Sequence, residues 1–129
     1  MTTDLFYLTL SAGLCAILWV PYVLSRIMTW GLINAVGYPD NPPELPAWAR
    51  RATRVHENMV ENLAPFAALV LVAQIAGTAN ETTAFAALLF FWARVAHAIV
   101  FTLGIPWLRT VTFVVAWVGI VLIFIEIIT

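Results

Sequence analysis

The residues able to do chemistry lie in three short runs. Residues 50–61 contain Arg50, Arg51, Arg54, His56, Glu57, Asn58 and Glu61. Arg94 and His97 stand three positions apart, and Arg109 adjoins Thr110. Several guanidinium groups beside a few carboxylates suit an anionic ligand, because an arginine fork holds a carboxylate or phosphate at two points. The same residues also admit a structural role. Arg94 would then neutralise Glu61 and lock two helices, while Arg50 and Arg51 would anchor at anionic headgroups. His56 and His97 would suit a haem ligated by two histidines, but their helical directions differ. Cys15 is the only cysteine, which excludes an intrachain disulfide and a cysteine-cluster metal site. It lies in an apolar run on the outer half of the first span, far from the histidines, where it packs as a small hydrophobe.

The elements that hold these residues must sit in a membrane. Of 129 residues, 63 % are hydrophobic and 10 % charged. A chain this short has too much surface for its volume to hide such a composition in water. Disorder is excluded by the same numbers. The formal net charge is −1 and there is no lysine, so nucleic acid is not a partner. Four segments approach the roughly 20 apolar residues that cross a bilayer. They are Leu5–Val23, with an amphipathic continuation towards Ala35, then Val55–Ala76, Thr83–Leu103 and Val111–Ile128. The apolar runs are too long and too little alternating for membrane strands. The fold class is therefore an all-α membrane bundle of four spans, one domain over residues 1–129. Gly37–Pro46 holds four of the seven prolines and is a stiff loop. Gly77–Glu81 and Gly104–Pro106 are short turns that make sequential spans antiparallel neighbours.

Helical spacing gathers the charges. With Arg54 as origin and 100° per residue, Asn58 falls near ~+40° and Glu61 near ~−20°. Arg50, Arg51 and Glu57 share that stripe, Arg54 is placed to reach both Glu57 and Asn58, and His56 points roughly the opposite way. Pro65 is expected to kink the helix just beyond it. Arg94, His97 and Phe101 line one face of the third span. Glu61 and Arg94 each lie roughly 16 Å from the arginine-rich end at 1.5 Å per residue, so they are expected to pair. Arg109 sits at the mouth on the same side. Arg26, Arg50, Arg51 and Arg54 flank the first link and Arg109 the third, whereas the second link carries only Glu81. The positive-inside rule then puts links one and three in the cytoplasm and both termini outside.

The run Arg51-Ala-Thr-Arg54-Val-His56-Glu57-Asn58-Met-Val-Glu61-Asn-Leu-Ala-Pro65-Phe66 resembles the second-helix signature of the MAPEG family, the membrane-associated proteins of eicosanoid and glutathione metabolism. Arg94-Val-Ala-His97 resembles its third-helix motif, and Pro106-Trp-Leu-Arg109-Thr110 resembles the start of its fourth helix. The resemblance implies a left-handed four-helix bundle assembled as a homotrimer, with glutathione held as co-substrate between subunits. It implies glutathione contacts from Arg26, Arg54, Asn58, Glu61, Arg94, His97 and Thr110, with Arg109 as the catalytic residue facing the thiol. A guanidinium in a site of low dielectric favours the thiolate. That thiolate would attack a lipophilic electrophile or hydroperoxide arriving through membrane lipid. Short length and minimal loops resemble bacterial members, which implies the inner membrane.

Three positions depart from the eicosanoid enzymes of the family. Glu57 replaces an arginine, and Phe101 and Phe113 replace tyrosines. Each lost hydroxyl removes a hydrogen bond worth about 0.5–1.5 kcal/mol. The leading expectation is a glutathione-dependent transferase or peroxidase, and the alternative is a non-catalytic membrane subunit that keeps the fold. A small multidrug transporter ranks last, because its coupling site needs an acidic residue within the first span. The topology is checked by labelling single cysteines on a Cys15-free background. A cysteine at position 80 is expected to react with an impermeant reagent only from outside the cell. Reaction only from the cytoplasm would invert the orientation.

Overall fold

The computed structural model describes residues 1–129 and contains six helices and no strand. They are α1 (Thr3–Ile17), α2 (Trp19–Trp30), α3 (Leu32–Val36), α4 (Ala47–Ala76), α5 (Glu81–Thr102) and α6 (Pro106–Ile128). Four stretches are long and apolar enough to cross a membrane: Thr3–Trp30, α4, α5 and α6. The protein is thus an integral membrane protein with four spans. The first span is broken where Pro21 has no N–H to return to the carbonyl of Ile17, so α1 ends there and α2 resumes at Trp19. The expected continuation towards Ala35 is interrupted again at Gly31, whose φ of 82° ends α2 before the short α3.

The second and fourth spans begin earlier than the apolar windows alone indicate. α4 starts at Ala47, two turns before Val55, because alanine and arginine are good helix formers and Pro46 supplies the first acceptor carbonyl. The helix runs on through Pro65 without interruption. α6 starts at Pro106, a residue pre-shaped for the first helical position. At the opposite end, Gly77 closes α4 in the left-handed conformation, and Asn80 caps α5 through a reciprocal capping box with Thr83. Asn80 Nδ2 also donates to Glu126 Oε2 at 2.6 Å, tying the start of α5 to the end of α6.

The helices form a bundle with α4 and α5 at its centre. Both touch α1 and α6, whereas α1 and α6 do not touch each other. Between them Phe66 stacks on Phe90 at 3.8 Å, packed with Met59, Val70, Ile120 and Ile123. Small residues set the spacing: Ala86, Ala87, Ala93, Ala116 and Gly119 are all buried. In a bilayer, helix association depends on such close packing rather than on exclusion of water. Only 21 of 129 residues are buried, so most apolar side chains face lipid or another chain.

Gly119 is where α6 comes closest to α5. A Cβ there would lie 2.8 Å from the carbonyl oxygen of Ala86. Gly119→Ala is expected to cost about 1–3 kcal/mol by forcing these helices apart. Gly13, with nothing within 4 Å, serves as the control. Gly13→Ala is expected to be neutral or stabilising by about 0.5–1 kcal/mol, because helical glycine loses more freedom on folding. Thermal unfolding in detergent reads both, and equal midpoints for the two variants would contradict this packing.

Candidate functional site

The inner face of α4 is set by Ala52, Val55, Met59, Phe66, Val70 and Ala73, all buried. They cluster at about 100–160° from Arg54, taking 100° per residue. Asn58 and Arg51, at about 40° and 60°, lie on the flank of that face. Both are half-buried and both reach α5. Arg51 Nε donates to the carbonyl of Thr102 at 3.0 Å. Asn58 Oδ1 accepts from Arg94 Nη2 at 2.8 Å. Arg54, Glu57 and Glu61 fall on the far side and are exposed.

Two features of this geometry correct the sequence expectations. Arg94 does not pair with Glu61: the only ion pair in the chain joins Arg50 to Glu44 at 2.8 Å. Glu61 is exposed on the outer face of α4, while Arg94 is 1 % exposed inside the bundle. Nor does Arg54 bond Glu57 or Asn58. It lines a separate cleft of about 210 Å³ with Ala47, Arg50 and Arg51. His56 points away from the charged stripe, as its spacing indicates, and its Nδ1 lies 2.7 Å from the Tyr22 hydroxyl on α2. Cys15 is half-buried on α1, packed against the core.

A cavity of about 200 Å³ opens where α4, α5 and α6 meet. Asn58, His97, Phe101, Arg109, Thr110 and Phe113 line it. Four of the eight site residues expected from sequence are therefore together: Asn58, His97, Arg109 and Thr110. Arg94 lies behind Asn58 and has no surface on the cavity. Arg54 and Glu61 are outside it on the exposed face of α4. Arg26 is on α2, with its guanidinium 5.0 Å from the Tyr22 ring and 5.9 Å from the Trp30 ring.

Phe101 is the pivot of the cavity. His97 meets its edge at 5.4 Å, and the Arg109 guanidinium lies 5.1 Å from its ring centre. The ring thus holds Arg109 by its π-face even without a hydroxyl. Phe113 adds a second wall, 6.5 Å from His97. The sequence placed Phe101 on the His97 face, whereas Phe113 stood out there only as a departure from the family pattern. Their spacing of four residues from His97 and from Arg109 already put each on the same helical face as its neighbour.

The sequence profile of the MAPEG family matches residues 9–129. The chain belongs to the MAPEG family. The match to this MAPEG protein spans α4, α5 and α6, which line the cavity, and membership suggests a role related to glutathione or eicosanoid metabolism. No curated protein and no solved structure matches the chain.

The Tyr22–His56 contact fastens α2 to the outer flank of α4, away from the cavity. Tyr22→Phe is expected to lower stability by about 0.5–1.5 kcal/mol, the worth of one such hydrogen bond. Thermal unfolding checks it, and an unchanged midpoint would show that this contact does not fasten α2.

Proposed function

We propose that this protein is a glutathione-dependent transferase or peroxidase acting on lipophilic electrophiles or hydroperoxides dissolved in the membrane. The observation that carries this reading is the cavity. Arg109, Thr110, His97 and Asn58 converge on about 200 Å³ of space walled by two phenylalanines, in a chain of the MAPEG family. The cavity offers a cation and hydrogen-bonding groups to an anion, and apolar rings to a lipophilic reactant.

In the proposed reaction Arg109 stabilises the glutathione thiolate, and Thr110 and Asn58 orient it. The sulfur then attacks an electrophilic carbon and displaces its leaving group, or it attacks a peroxide oxygen, breaking the O–O bond to release an alcohol and leaving a glutathione sulfenic acid that a second glutathione converts to the disulfide and water. No side chain of the protein forms a covalent intermediate. The contribution is positioning and charge stabilisation.

The tripeptide also carries two carboxylates and one ammonium, which this cavity alone does not serve. Arg54 and Glu61 are exposed on α4 and make no bond within the chain. We infer a homotrimer in which this face of α4 meets the cavity of a neighbouring subunit. Arg54 would then bind a carboxylate and Glu61 the ammonium. Arg26 would serve the same boundary from α2. The arginine-bearing end would face the cytoplasm, where glutathione is plentiful.

The reading is tested on Arg109→Leu. Wild type is expected to bind glutathione, to show thiolate absorbance, and to turn over a generic aryl halide. The variant is expected to lose most of the thiolate signal and rate while keeping much of the affinity. An unchanged variant would remove Arg109 from the chemistry. Wild type with neither binding nor turnover would favour a non-catalytic subunit, a role that Glu57, Phe101 and Phe113 would also fit.

A further inference from the structure

Asn58 is a residue of the cavity whose chemical character depends on its orientation. A carboxamide has an acceptor end and a donor end, and either can face a ligand. Here the acceptor end is occupied. Oδ1 receives Arg94 Nη2 at 2.8 Å and, more weakly, Asn62 Nδ2 at 3.4 Å. Arginine has donors only and keeps its proton at any ordinary pH, so this contact admits one orientation of the amide. Nδ2 donates to nothing within the chain.

Arg94 itself spends little elsewhere. Its Nε and Nη1 are buried without partners, and no carboxylate lies within ion-pairing distance. It is 1 % exposed, and its uncompensated charge stands directly behind Asn58. In a low-dielectric interior such a charge acts over several ångströms.

We propose that Arg94 is a positioning residue that turns the Asn58 amide so that Nδ2 faces the cavity, making the site a cradle for an anion that rejects a cation. The cradle has Asn58 and Arg94 behind it and Arg109 at its rim, and no carboxylate lines it. Glu57 and Glu61, the acidic groups of α4, are exposed on the opposite flank. The inference rests on the glutathione reading for the identity of the ligand. It adds that Arg94, which has no surface on the cavity, sets which end of the Asn58 amide meets that ligand.

The test is Asn58→Asp, made alone and together with Arg94→Met. Beside Arg94 the new carboxylate neutralises a buried cation, so the thermal midpoint is expected to hold or rise. In the Arg94→Met background the same change leaves a half-buried carboxylate without that partner, so the midpoint is expected to fall. A shift of the same sign in both backgrounds would overturn the contact. This arm needs no ligand.

The second arm measures the affinity of purified trimer for glutathione and for glutathione sulfonate, whose sulfur end is permanently anionic. Asn58→Asp is expected to weaken both by about tenfold or more, the scale of a hydrogen bond to a charged group. Arg94→Met is expected to weaken both to a similar extent, and Arg94→Lys, which keeps a charged donor, to retain most of the affinity. Undiminished binding by Asn58→Asp would overturn the donor assignment. Wild type that binds neither compound would defeat the glutathione reading, and the sign of the thermal shifts would still decide the role of Arg94.

Discussion

A guanidinium sits 1 % exposed in the middle of an apolar helix, and one short hydrogen bond to a neighbouring helix holds it. Burying a charge costs several kcal/mol even after a protein relaxes around it, and more than a stray contact must stabilise the fold that does so. The packing of α4 against α5 provides this. Phe66 stacks on Phe90 a few turns away, and Ala86, Ala87 and Ala93 let the helices approach closely. At the arginine-rich end Arg51 fastens α4 to the last turn of α5. The Arg94–Asn58 bond is thereby fixed in register, and the cavity beside it has a rigid back wall.

The polar residues divide into an inner and an outer set. Asn58, His97, Arg109 and Thr110 line the cavity, with Arg94 behind them. Arg54, Glu57 and Glu61 lie on the exposed side of α4. Neither set alone matches a ligand with two carboxylates, an ammonium and a thiol. Exposed charge on a membrane helix is costly against lipid, so this face of α4 suits the proposed subunit boundary. Assembly of three chains, the arrangement proposed above, would make one site of the two sets.

The fold was legible in the sequence because length and hydropathy are strong signals for spans, and the links carry plain turn residues. The cavity was partly legible, since helical spacing put Arg94, His97 and Phe101 on one face. The partner of Arg94 was not. Glu61 and Asn58 are one turn apart on α4, but pairing depends on azimuth, and about 60° of helix rotation separates them. The start of α4 carried two signals, because the helical stripe reached back to Arg50 whereas the apolar window began at Val55. Arg50, Arg51 and Arg54 break the apolar window, yet arginine is a good helix former and Arg51 finds a carbonyl across the bundle. The break in the first span was written in Pro21, whose effect on Ile17 is local and general.

The central claim is that one glutathione site is built from the cavity of one chain and the exposed α4 face of the next. An experimental structure of the detergent-purified protein with glutathione sulfonate tests it most directly. The account predicts a trimer with the sulfonate between Arg109, Thr110 and Asn58 Nδ2, and with the two carboxylates and the ammonium at arginines and Glu61 of an adjacent chain. A monomer, or a ligand bound without any contact to the lining of this cavity, would contradict it.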